Sequence, residues 1–567
     1  MFTTKKAKLF TAPDTKAPAA FSSKTSSSSK GTSAFVSAAM SKGAETRSGN
    51  GAKKYSTTGN DFVDQFGKLG TYKVPRSFAD ISKDCDILWS QNKILTVAFI
   101  LYIRMISRVT DIFGKKTKEA QRGGELKHEG IFRMIWLHTT APKSFWKNVT
   151  LFIAVGSWKD IFTMLQYDLV YNGWEGRKLD WTKFGSLIAS GLQDETQNNL
   201  IKKYLPQIKA RSACKTVEAQ ADNMIAKWVC SLIFGSKTNE ASTYKQYRLL
   251  KTSGTAHEWQ KLISQGKHNL IDFNTIHGRA LNKLVRSKYL ANQGLTAKYE
   301  KWITKDTTEA KYTGFVHELF EKLPSVLSGL TVGQQTTINK QFDTLVKKGG
   351  EVETKTSLIV VRDTSGSMSS TATGTNMSCY NIAKALALYF SSFLKGKFSD
   401  AWIEFNSSAK MHQWKGSNAL EKWYNDHSNF VGSTNFQSVV NLFVTLKRQG
   451  IDESEFPTGI LCISDGEFNA TQLGKTNVEV AKSALRAGGF SNEYVNNFVI
   501  VLWNLQSNAY GSKTGQKFET YGDVQNVYYF SGYSASTAAF LMNQEIKTAA
   551  DLFDEAMNQE VLAMVEL

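Results

Sequence analysis

Five oxygen-bearing side chains in this sequence are spaced as the ligands of a cation would be. Asp363, Ser365 and Ser367 stand in the run Asp363-Thr364-Ser365-Gly366-Ser367, just after the apolar stretch Ser357–Val361 and before a helical pattern. Thr434 lies in Gly432-Ser433-Thr434-Asn435, ahead of the helical run Phe436–Lys447. Asp465 follows the apolar stretch Thr458–Ser464. Hard cations take oxygen ligands, and small Mg2+ demands a near-octahedral shell in which several waters are kept. Two carboxylates and three hydroxyls on separate loops supply the protein's share of such a shell. Mg2+ is the expected ion, with Mn2+ or Ca2+ as substitutes. The five-residue run alone carries little weight, because Ser, Gly and Thr crowd ordinary loops. Its weight comes from its surroundings.

Those surroundings are strands alternating with helices. Apolar runs at Ser357–Val361, Ala401–Phe405, Gly459–Ile463, Phe498–Leu502 and Val527–Phe530 alternate with helical patterns at Cys379–Leu394, Phe436–Lys447, Val478–Ala487 and Ser536–Met542. That order predicts a parallel sheet covered on both faces. Ligands of such sheets bind beyond the carboxyl ends of the strands, where the three loops lie. Asn406-Ser407-Ser408, between two short β-like runs, predicts an antiparallel hairpin at one edge. The order Asp-x-Ser-x-Ser, then Thr, then Asp resembles the metal ion-dependent adhesion site of von Willebrand factor A domains, which have an α/β, Rossmann-like fold. All five positions are present, as Asp363, Ser365, Ser367, Thr434 and Asp465. The resemblance implies that the hydroxyls bind metal directly and the carboxylates act mostly through water. It also implies that a partner's carboxylate fills an open position.

A chain of 567 residues predicts two or three domains, and 41% hydrophobic with 12% aromatic residues is ample for large cores. The five cysteines, Cys85, Cys214, Cys230, Cys379 and Cys462, are scattered and contain no CxxC pair, which argues against a disulfide scaffold or a zinc ribbon. A reducing, cytoplasmic setting fits them, either in a host cell or in a virion. The eight histidines do not cluster. The longest apolar stretch, Ile94–Ile103, is too short to span a bilayer and runs into Arg104, so no membrane is expected. Residues 1–60 lack the apolar core of a secretory signal.

Charge divides the chain. Residues 351–567 hold 16 Lys+Arg against 22 Asp+Glu, a net of −6, so with +19 over the whole chain residues 1–350 carry +25. Such asymmetry points to a polyanion partner for the N-terminal part, and nucleic acid is the usual one. The alternative is that the lysines only solubilise helices. Residues 1–60, with ten basic and two acidic residues and few large apolar ones, read as a disordered basic tail. Residues 61–350 read as helical, with apolar spacing of three and four in Ile81–Trp89, Ile94–Val109, Ile131–Leu137, Val149–Ile161, Met224–Phe234 and Ala280–Leu290, and with no β-rich section. Short turns between many helices predict an α-solenoid or bundle without a strict repeat. The α/β domain is then 351–545, followed by a C-terminal helix in 546–567.

A basic helical part followed by such an α/β domain resembles the TROVE family, the Ro autoantigen and its bacterial relatives, and a related family of plants, large viruses and phages. The local matches are Arg122-Gly123-Gly124-Glu125, Gly156-Ser157-Trp158-Lys159-Asp160, Tyr247-Arg248-Leu249-Leu250, Trp259 and His277-Gly278-Arg279-Ala280-Leu281, in the family's order. In that family HEAT-like helical repeats form a ring, and the helical part here is shorter than a full ring. The resemblance implies a ribonucleoprotein in which a basic hole takes single-stranded RNA ends and an outer face binds a small noncoding RNA. Candidate phosphate contacts are Lys202, Lys203, Lys209, Arg211, Arg279, Lys283, Arg286 and Lys288; a solvated surface stripe would look the same. Trp158 and Trp259 read as core rather than as stacking platforms.

Enzymatic readings find little support. Gly511-Ser512-Lys513-Thr514 lacks the spacing of a phosphate loop. No Gly-x-Ser-x-Gly elbow follows a strand, and Asp363 and Asp465 have no evident general base beside them. Two expectations result. The first is an RNA-binding protein whose A domain holds a partner's acidic residue through Mg2+. The second is a virion or phage assembly protein using the same domain for docking. The oligomeric state is left open.

Overall fold

The structure is a computed structural model that describes residues 45–47, 53–55, 59–69, 75–106, 109–112, 115–121, 123–235, 240–253, 257–312, 314–349, 357–372, 375–394, 398–428, 432–466, 468–469, 476–506, 526–531 and 549–567. Most of the expected tail therefore lies outside the described residues. Within it, β1 (Glu45–Arg47) and β2 (Lys53–Tyr55) pair antiparallel, which its composition did not foretell. The helical pattern expected at Ser536–Met542 and the loop Gly511–Thr514 also lie outside.

The chain packs as two units, Pro75–Lys261 with Ala556–Leu567, and Leu262–Glu555 with Ala38–Val74. The change from helical to alternating pattern at residue 350 is a change of secondary structure, whereas packing divides near residue 261.

The first unit is built mainly of helices, among them Phe78–Gln91, Lys93–Arg104, Lys127–Thr140, Pro142–Val155, Trp158–Asn172, Trp181–Gln193 and Val217–Phe234. Side-chain caps start several of them, with Ser77, Asn92, Asp180 and Thr216 each accepting from a first-turn N–H. Their apolar faces meet in one core that includes Ile100, Phe132, Phe152, Leu165, Phe184 and Ile225. The expected helix Ile94–Val109 stops at Arg104. Beyond it, β3 (Val109–Ile112) and β4 (Lys115–Gln121) form an antiparallel hairpin where no strand was expected. The signal was present in the alternating Val109-Thr110-Asp111-Ile112 and in Gly114, but a helical window absorbed it.

The two glycine-containing turns singled out in the sequence meet at the end of the Lys93–Arg104 helix. The N–H groups of Gly124, Glu125 and Leu126 donate to the carbonyls of Tyr102, Met105 and Ile103. A Cβ at Gly123 would lie 2.4 Å from Met105 Cβ. From the other turn, Asp160 caps its own helix with Ser157 and takes the Arg104 guanidinium at 2.7 Å, both groups being buried. Each turn thus has a packing reason for its composition. The final residues thread back into this unit, where Val561 and Leu562 join the core and buried Asn148 pairs with both backbone groups of Glu566.

The second unit carries a six-stranded mixed sheet in the order β10-β9-β8-β5-β6-β7. Its strands are β5 (Leu358–Asp363), β6 (Ala401–Phe405), β7 (Ala409–Gln413), β8 (Gly459–Ser464), β9 (Val499–Asn504) and β10 (Val527–Ser531). All neighbours are parallel except β6 and β7, which form the antiparallel edge hairpin around Asn406–Ser408. Alternation along β5 separates the two layers. Leu358 and Val360 pack with the Cys379–Ser391 and Ala419–Tyr424 helices, while Ile359 and Val361 pack with Gln437–Arg448 and Asn477–Ala487. Residues of the preceding helical stretch, among them Phe320, Ile338 and Phe342, belong to the first of these layers. Among the described residues, no helix is long and apolar enough to cross a membrane.

Candidate metal centre

The central strand β5 ends at Asp363, and the chain turns at once into a short 3-10 segment, Gly366–Ser369. This tight exit folds the loop onto itself. The Ser365 N–H donates to Asp363 Oδ1 at 2.8 Å, and the Ser365 and Ser367 hydroxyls lie 3.1 Å apart. Ser464, the last residue of β8, donates to Asp363 Oδ2 at 2.5 Å. Asp465 follows it at the same sheet end. Asp363, Ser365, Thr434 and Asp465 are buried, and Ser367 is half-buried.

Backbone contacts tie the three loops together. The Gly366 N–H donates to Gly432 O at 3.4 Å, and Asn469 N–H donates to Thr434 O at 3.0 Å. Two glycines are dictated by this crowding. Gly432 has φ +84° and would press a Cβ to 2.5 Å from Ser407 Oγ; Gly466 has φ +82° and would press one to 2.5 Å from the Asn504 amide.

Electrostatics argue for a cation. The Asp363 carboxyl is pushed up to about 7, first by burial and then by the charge of Asp465, against hydrogen bonds from Ser464 and Ser365. No lysine or arginine is among these influences, and the neighbouring Arg362 is committed to Asp426 at 2.7 Å. Two buried carboxylates that repel one another, beside paired hydroxyls, fit a divalent ion with hard oxygen preference. Burial and the same two carboxylates also push up the Cys379 thiol, to about 12, so it is no thiolate ligand. Among the described residues no cluster of three or more His, Cys, Asp or Glu is arranged to hold a metal, so the donors here would be hydroxyls and the two aspartates.

Sequence reasoning did not assign Ser464, although a serine beside the strand-end Asp465 was a visible signal. It also missed Thr364, whose buried hydroxyl lies 3.2 Å from Glu404 Oε1 and accepts from Asn406 Nδ2 at 3.1 Å. That interaction spans forty residues of chain and has no local signature.

The eight candidate phosphate contacts are divided between the two units. Lys202, Lys203, Lys209 and Arg211 belong to the first, and Arg279, Lys283, Arg286 and Lys288 to the second. Lys203, Lys209, Lys283 and Lys288 are exposed, and Lys202 is half-buried. Arg279 makes a two-pronged ion pair with Glu318, with both N–O distances 2.7 Å. Arg286 donates to the carbonyls of Leu319 and Glu321, so its fork braces a turn. Trp158 is core, as expected, whereas Trp259 is half-exposed and stacks on His257.

Residues 357–565 match a protein family described as a domain of unknown function, DUF7788. The match begins one residue before β5 and includes all five candidate metal ligands. No curated protein matches the chain.

Proposed function

We propose that this chain is a binding protein with two kinds of contact. The α/β unit captures an acidic residue of a protein partner through Mg2+, and the basic helical part holds single-stranded or structured noncoding RNA, in the manner of Ro-like proteins. The observation that carries the first half is the buried pair Asp363 and Asp465, close enough for the charge of one to raise the carboxyl of the other and gathered with the Ser365 and Ser367 hydroxyls. Asp363, Ser365, Ser367, Thr434 and Asp465 would hold the ion, and the ion would supply a positive site for a carboxylate. The protein's own part is to fix the donors. Ser464 clamps Asp363, and Thr364 anchors the loop to β6. No step of bond-making is required, so binding rather than catalysis is the role we assign.

The RNA half rests on the +25 carried by residues 1–350 and on exposed Lys203, Lys209, Lys283 and Lys288. Arg279 and Arg286 have structural partners and are weaker candidates than the lysines. Protein stripped in high salt and titrated with a single-stranded RNA is expected to bind with affinity that falls steeply as salt rises, because each neutralised phosphate releases counterions. Binding no tighter than that of an equally basic inert protein would remove RNA from the account and leave the metal-dependent contact standing.

A further inference from the structure

Beside the edge hairpin lies a half-open cleft of about 620 Å3, walled by one face of β6 and β7 and by the segment Asn425–Ser428. Its volume is that of a ligand pocket rather than of a single ion. Both walls are tied to the residues that flank Asp363. On one side, Thr364 meets Glu404 and Asn406 of the β6 wall. On the other, Arg362 bonds Asp426 and Ser428. The end of the cleft at Asn406–Ser408 adjoins the Thr434 loop, because Ser433 N–H donates to Ser407 Oγ at 3.1 Å.

The cleft has a charge bias. Glu404 is hydrogen-bonded to His412 at 2.7 Å, and Asp426 is neutralised by Arg362 at 2.7 Å and Lys384 at 3.3 Å. Lys410, Lys415 and His427 are exposed around it and have no ion-pair partner among the described residues. Even with Glu404 counted as charged, the two lysines leave the cleft positive, and the complementary ligand is anionic. Among the described residues strand β7 is also the last strand of its sheet, so one row of its backbone groups has no strand beside it there. An extended segment added there would turn alternate side chains toward Lys410 and His412.

We propose that this cleft binds an extended acidic segment of a protein, contiguous with the carboxylate that the neighbouring centre captures; the proposal rests on that reading for the identity of the partner. A single point contact on a metal gives little orientation. A strand paired along β7, with its acidic side chains on the lysines, fixes direction and register.

The probe is a fluorescein-labelled peptide of six glutamates flanked by glycines, titrated into the full chain by anisotropy in EDTA. Saturable binding is expected, weakened about tenfold by Lys410→Glu with Lys415→Glu, since each exposed ion pair contributes modestly and reversal adds repulsion. The control Lys301→Glu with Lys305→Glu carries the same change in net charge and is expected to leave affinity within about twofold. Equal losses in the two double variants, no binding, or competition by free citrate at the peptide's own concentration would overturn the proposal, the last by making the occupant a small anion. Cleft-dependent binding that Mg2+ fails to tighten upholds the cleft and overturns the metal-bound carboxylate.

Discussion

Asp363→Asn is expected to abolish the stabilisation of this protein by Mg2+ while leaving the metal-free chain at least as stable as wild type. Asparagine keeps the shape of the side chain: its Oδ1 can accept from the Ser365 N–H, and its Nδ2 can donate to the Ser464 hydroxyl where the carboxylate now accepts from it. What it removes is a buried negative charge that lies against Asp465. Without metal that charge costs stability, as the elevated carboxyl shows. Because the folded value, about 7, lies above the ordinary carboxylate value, the folded state holds a proton that the unfolded state has lost. Metal-free wild type is therefore expected to lose stability as pH rises through the interval from about 4 to 7, and the Asn variant to show a flatter profile there. With metal the sign inverts. A ligand bound only by the folded state adds about 3 kcal/mol at a hundredfold excess over its Kd. Thermal melts with and without Mg2+ measure both effects. A variant that still gains stability from Mg2+ would show that the ion binds elsewhere.

The second large effect is expected one residue earlier. Arg362 is fully buried, lies 4.2 Å from the Trp402 ring, and pairs with Asp426 at 2.7 Å. Burial pushes the Asp426 carboxyl up, but Arg362 and Lys384 outweigh it and hold the group well below the ordinary carboxylate range. Removing one partner of a buried pair leaves the other uncompensated, which costs about 3–5 kcal/mol. Arg362→Leu is expected near the lower figure, because Lys384 remains 3.3 Å from Asp426. A depressed carboxyl contributes stability above its unfolded value that is lost as pH falls below about 4, so this acid limb should shrink in the variant. Chemical denaturation across pH measures it. Adding Asp426→Asn to Arg362→Leu should recover nothing, since buried Lys384 then loses its carboxylate; a double variant clearly more stable than the single one would show that Lys384 does not compensate Asp426.

The placement of the candidate donors was legible in the sequence because they sit where strands end. An acidic residue and two serines after β5, and an acidic residue after β8, are local events on an alternating pattern, and the parallel sheet brings their ends together. The hairpin at Asn406–Ser408 was legible for the same local reason. Contacts that join distant elements were not. Nothing near Thr364 names Glu404, and nothing near Arg362 names Asp426, since each pairing is set by strand order and helix packing. The phosphate candidates illustrate the same limit from the other side. Arg279 and Arg286 look alike in sequence to the exposed Lys283, but they face Glu318 and the carbonyls of Leu319 and Glu321. The β3–β4 hairpin escaped because its few alternating residues follow a strongly apolar helix without a proline to mark the break.

The central claim is that Asp363, Ser365, Ser367, Thr434 and Asp465 form one hard-cation site. Mn2+ titration of the full chain, followed by the electron paramagnetic resonance signal of the free ion, tests it most directly. The account predicts loss of free-ion signal equivalent to about one Mn2+ per chain, its return on adding Mg2+, and no such loss in Asp363→Asn. A wild-type chain that leaves the free Mn2+ signal unchanged at millimolar concentration would contradict it.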